Sequence, residues 1–131
     1  NLGKIFYENG KFEEAVTHYQ KAIEIEPNFS DAYFNLGNSL RKTGSLRSAI
    51  ECYMTSLKIV PSDTEVLGSC GKALEAYGNF DQAIECFKEI LEIAPEKTSS
   101  QININAIIKQ KLKVENILGN LDFERVQQLV T

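Results

Sequence analysis

Pro27, Pro61 and Pro95 stand 34 residues apart, and two sets of glycines keep the same step: Gly3, Gly37 and Gly71, then Gly10, Gly44 and Gly78. Ala15, Ala49 and Ala83 form another column, and Tyr19, Tyr53 and Phe87 an aromatic one. Six of the eight glycines fall in two columns, so a repeating unit places the residues with special backbone demands. A unit this short cannot bury its own apolar face and must stack on its neighbours. The period therefore calls for an array.

Each unit reads as two helices. Tyr33, Leu36 and Leu40 mark one helical stripe within Asp31 to Lys42, and Gly44 follows where a left-handed residue ends a helix. A second stripe runs through Leu46, Ala49, Ile50, Tyr53, Leu57 and Ile59 and stops at Pro61. Ser30, Thr64 and Thr98 recur before each first helix and are expected as hydroxyl N-caps. Gly37 and Gly71, with Ala49 and Ala83, let paired helices approach closely, and Tyr53 and Phe87 fill the space beside them.

The reading divides the chain into an array over 1–97 and a divergent fourth unit over 98–131; the array holds a truncated unit 1–29 and the units 30–63 and 64–97. In the last segment Asn105, Leu112 and Leu129 replace the Gly, Gly and Pro of the pattern. With no breaker at 112, a helix is expected from about Ser99 to Leu118, ended by Gly119-Asn120, with Asp122 capping a short helix through Leu129. Ile104, Ile107 and Ile108 are expected to face the preceding unit, and Gln101, Lys109, Lys111 and Lys113 to point outward. The segment reads as the solvating cap an open-ended array needs.

Leu36-Gly37, Ala49, Tyr53 and Pro61, with their counterparts at Leu2-Gly3, Ala15, Tyr19 and Pro27 and at Cys70-Gly71, Ala83, Phe87 and Pro95, resemble the tetratricopeptide repeat family. Leu67 and Cys70 depart from the bulkier residues of that signature. The resemblance implies an all-α fold: a right-handed superhelical solenoid of antiparallel helix pairs, about three units plus a divergent C-terminal capping helix. It also implies a role in protein–protein interaction without catalysis.

Composition excludes several other classes. At 43% hydrophobic the chain has enough apolar surface to offset ordering entropy, and no apolar run approaches a membrane span. A net charge of −4 argues against a nucleic-acid partner, which needs a basic face. Cys52, Cys70 and Cys86 form no C-x-x-C pair, so reduced thiols and a cytoplasmic setting are expected. The chain starts at Asn1 rather than Met, and a preceding portion is expected.

His18, Cys52 and Cys86 share one column, but neighbouring helices about 8–10 Å apart cannot bring them within the roughly 2.0–2.3 Å of a shared zinc. No metal site is expected. No nucleophile, phosphate-loop or dinucleotide fingerprint is present either, so neither catalytic residues nor cofactors are assigned. Glu13-Glu14, Glu24/Glu26 and Glu89/Glu92 read as solvated faces of the second helices.

A stack of helix pairs curves and lines its concave wall with the first helices. On those helices Asp31, Phe34, Asn35, Asn38 and Lys42, then Glu65, Ser69 and Lys72, with Gly68 and Ala76 among them, remain once the packing stripe is assigned. They are the candidate peptide-binding residues, because an Asn amide both donates to and accepts from an extended peptide backbone. Phe34, opposite small Gly68, is expected to form a shallow apolar pocket. The resulting expectation is a scaffold binding an extended peptide or partner helix on its concave face. A second reading is the substrate-recruiting arm of a larger enzyme such as a glycosyltransferase, whose asparagine ladder resembles the column Asn1, Asn35 and Asn103, broken at Ser69. A third is self-association through the ends of the array. Some family members hold an acidic chaperone tail in a Lys/Asn/Arg clamp. Here Lys4, Asn35, Glu65 and Ser69 stand at those slots, or Phe34, Asn38, Ser69, Ser99 and Asn103 one unit later. Neither set supplies paired cations.

Overall fold

The computed structural model describes residues 2–130, with side chains described through residue 117. Seven helices, and no strand among the described residues, follow one another: α1 (Leu2–Glu8), α2 (Phe12–Ile25), α3 (Ser30–Lys42), α4 (Leu46–Ile59), α5 (Thr64–Tyr77), α6 (Phe80–Ile93) and α7 (Thr98–Val130). Each helix packs on the next, and α3 also touches α5, so the first helices of successive units form a layer of their own. None of the helices is long and apolar enough to cross a membrane, over the residues described.

The repeat columns do the work the sequence assigns them. Gly10, Gly44 and Gly78 hold φ of +76°, +90° and +95°, the left-handed turn between the helices of each pair. Gly37 and Gly71 serve close approach instead. A Cβ on Gly37 would lie 2.7 Å from Tyr53 Cε1 and 3.2 Å from the Ala49 carbonyl oxygen. A Cβ on Gly71 would lie 2.8 Å from two atoms of the Phe87 ring. The aromatic side chains fill that space completely: Tyr53 is 0% and Phe87 1% exposed. One core cluster then joins units through Ile50, Leu67, Cys70, Leu74, Ile90, Ile104 and Ile107.

Helix starts differ from expectation. Ser30, Thr64 and Thr98 each lie inside the first turn rather than at the cap. Asp63 caps α5, its carboxylate accepting from the backbone N–H groups of Glu65 at 3.1 Å and Val66 at 3.3 Å. The acid one residue earlier out-competes Thr64, because a charged acceptor bonds N–H groups more strongly than a hydroxyl. The hydroxyls serve packing between helices. Ser30 Oγ lies 2.8 Å from Ser56 Oγ, and Thr64 Oγ1 accepts from Lys97 Nζ at 3.0 Å.

Three further differences concern the tail. The backbone of α7 is continuous through Gly119 and Asn120, so the expected break and separate last helix do not form. A Gly inside a helix costs only about 1 kcal/mol relative to Ala and ends a helix only with other terminators beside it. The side chain of Asp122, expected as a cap, lies outside the described residues. Ile104 and Ile107 are buried at 5% and 0%, but Ile108 is 41% exposed, because one residue past Ile107 rotates the side chain about 100° around the helix. Lys111 is held rather than outward: its Nζ donates to Asp81 Oδ1 at 2.7 Å, tying α7 to α6.

Candidate functional site

The layer of first helices opens onto a groove of about 310 Å³ between α3, α5 and α7. Phe87 and Ile90 of α6 lie beneath its floor but stay buried, at 1% and 4% exposure, and Gly68, which lacks a side chain, leaves room above them. A Cβ on Gly68 would meet Ile90 Cδ1 at an ordinary 3.9 Å, so packing does not demand this glycine. Its walls are polar: Arg41 from α3; Thr64, Glu65, Ser69 and Lys72 from α5; Lys97; and Ser99, Ser100 and Asn103 from the start of α7. Helical spacing accounts for the gathering, since Glu65, Gly68, Ser69 and Lys72 lie three or four residues apart along one face.

Charge in the groove opposes that of the chain. Arg41, Lys72 and Lys97 stand against the single carboxylate of Glu65, three positive and one negative for a local +2 in a chain of net −4. None of the three makes a salt bridge with a carboxylate among the described residues. Lys97 is positioned by its bond to Thr64 Oγ1. Hydroxyl walls and cations with no carboxylate partner among the described residues together suit a ligand with a polar backbone and charged side chains.

The candidate residues from the sequence divide. Glu65, Ser69 and Lys72 come together in this groove. Asn35 instead lines a smaller cavity of about 230 Å³ with Gly3, His18, Tyr19, Phe29 and Ala32, between the first and second units. Asn38 has its amide oxygen engaged by the Tyr53 hydroxyl, which donates to it at 2.5 Å. Phe34 packs on the core with its ring 5.9 Å from that of Tyr53. Asp31 and Lys42 are exposed on α3. Arg41, Thr64, Lys97 and Ser100 join the groove without having been among the candidate binding residues. Arg41 was legible in principle, since it follows Asn38 by three residues on the same helical face. Lys97 lies between two helices, where a column drawn along helix faces does not reach.

The thiols and the lone imidazole are packing groups. His18 sits against Phe6 with ring centroids 5.0 Å apart. Cys70 and Cys86 share an apolar outer groove with Met54, Leu57 and Leu67. The hydrogen bond with Cys70, and then burial, push the Cys86 thiol well above its ordinary range, which keeps it protonated and unreactive near neutral pH.

Stacked helix pairs with a groove walled by their first helices define a helical-repeat solenoid. The chain belongs to the tetratricopeptide repeat family: the family's TPR repeat pattern matches residues 3–44, and its tetratricopeptide repeat pattern matches residues 28–96. Among solved structures the chain is similar to MamA, with a TM-score of 0.80 and 20% identity over 84% of this chain, which spans 64% of that one. It is also similar to the first TPR of Spaghetti (RPAP3) bound to an HSP90 peptide, with a TM-score of 0.77, 18% identity and coverage of 84% and 89%. A third likeness is to the Yersinia enterocolitica type III secretion chaperone SycD in complex with a peptide of the translocator YopD, with a TM-score of 0.77, 20% identity and coverage of 84% and 89%. Comparison with curated protein sequences gives no match.

Proposed function

We infer that this chain is a binding module, not a catalyst, and that it holds an extended segment of a partner protein in the groove between α3, α5 and α7. The observation that carries the reading is the groove's construction. Three successive first helices contribute to one cavity, and Gly68 leaves room in it among donors and acceptors. An extended peptide needs that combination: room for its chain, and hydroxyl, amide and ammonium groups for its backbone and charges. The peptide-bound RPAP3 and SycD structures share the fold, which makes a peptide a reasonable occupant here. The outer groove beside Met54 is mainly apolar and continuous with the core, and its charged and polar lining is Lys58, Gln82, Glu85 and Glu89, with no hydroxyl group.

A peptide selected from a displayed random library against the 131-residue chain tests the assignment. Titrated against the Gly68→Leu variant, whose side chain fills the groove over Ile90, the peptide is expected to lose most of its affinity with helix content unchanged. Undiminished binding by that variant would move the site off the groove.

A further inference from the structure

We propose that the groove between α3, α5 and α7 reads a phosphorylated serine or threonine in the bound peptide, with Arg41, Lys72 and Lys97 around the phosphoryl group; this rests on the peptide-binding reading above. The cations reach the cavity from three separate places: the last turn of α3, the middle of α5 and the segment before α7. Against the one opposing carboxylate, Glu65, they leave a local +2. A phosphoryl group carries about −1.5 to −2 near neutral pH and three acceptor oxygens, whereas a carboxylate carries −1 and two. Charge therefore matches the phosphoryl dianion better than a single acidic side chain.

The other polar groups agree. Ser69, Ser99 and Ser100 bring hydroxyl donors to the same cavity, which suits an acceptor with oxygens in several directions. Thr64 accepts from Lys97 Nζ at 3.0 Å, which holds that ammonium at the rim before a ligand arrives. A planar guanidinium at Arg41 adds paired donors for two oxygens at once. The net charge of −4 on the chain also disfavours non-specific anions, against which the groove's local excess of cations stands out.

Three degenerate nonapeptide pools, identical except for a central phosphoserine, serine or glutamate, provide the test by fluorescence anisotropy on the 131-residue chain. The phosphoserine pool is expected to bind about tenfold tighter than the serine pool, and clearly tighter than the glutamate pool. The double variant Arg41→Gln, Lys72→Gln should bring the phosphoserine pool down to the level of the serine pool while leaving the circular dichroism spectrum unchanged. Equal binding of phosphoserine and serine pools overturns the phosphoryl assignment, and so does a glutamate pool as tight as the phosphoserine one. A phosphoserine preference that survives the double variant overturns the residue assignment. If pools bind equally yet Gly68→Leu abolishes binding, the groove still holds peptide and only this inference falls. If no pool binds at all, both readings fall.

Discussion

Glycines on the first helices do two different jobs, and each predicts a different response to alanine. At Gly37 and Gly71 a methyl group would press into the Tyr53 and Phe87 rings, so Gly37→Ala or Gly71→Ala should destabilise by about 1–3 kcal/mol through overpacking. At Gly68 the methyl meets only ordinary contact, so Gly68→Ala should stabilise by about 0.5–1 kcal/mol through helix propensity. Urea unfolding of the three variants checks the opposite signs. Burial also leaves a pH signature. It pushes the Tyr53 hydroxyl up from 10.0 to about 12, with Arg41 pulling the other way, and the Cys52 thiol up from 9.0 to about 11, helped by Glu51. Both groups hold their protons more tightly when folded. Their stabilisation is therefore complete below pH 9 and is lost as pH rises from 9 toward 12. The urea midpoint should stay level from pH 7.5 to 8.5 and fall above pH 10; a level midpoint across the whole range would contradict this burial.

Elements were legible in the sequence to the degree that local chemistry decides them. Turn glycines, close-approach glycines and the aromatic column act within one helix pair, and all three behave as their spacing requires. The cap of α5 was misplaced because Asp63, outside the repeating columns, offers a stronger acceptor than Thr64. The tail was only half legible, since Gly119-Asn120 is too weak a signal to end α7. In the groove, the α5 residues Glu65, Ser69 and Lys72 follow from helix periodicity, but Arg41 and Lys97 depend on long side chains reaching in from neighbouring elements. The bond from Tyr53 to the Asn38 amide oxygen was not legible for a similar reason, because Tyr53 sits on the next helix. The seating of α7 itself gives a paired prediction. Ile107→Ala should cost about 2–5 kcal/mol, whereas Ile108→Ala, one residue on and 41% exposed, should change stability by less than about 0.5 kcal/mol. Thermal unfolding of both variants checks the difference; equal losses would mean that α7 sits in another rotation on α6.

Across the whole molecule, stability is distributed unevenly along the stack. α1 buries only Gly3 and leaves Leu2 and Ile5 exposed at 58% and 50%, whereas α5 buries six residues between neighbours on either side. Native-state hydrogen exchange should therefore be fastest in residues 2–8 and slowest in α5, and comparable protection in the two would contradict a nearest-neighbour stack. That gradient places the groove between α3, α5 and α7 on the firmer part of the array, next to the core that joins Phe87, Ile90 and Ile107. A rigid wall loses little entropy on accepting a peptide. The most direct test of this account is an amide chemical-shift map of the chain titrated with a library-selected peptide. The largest shifts are expected at Gly68, Ser69, Lys72, Ser99 and Asn103 along the groove. Shifts concentrated instead at Met54, Leu57, Gln82 and Glu85, on the outer helices, would contradict it.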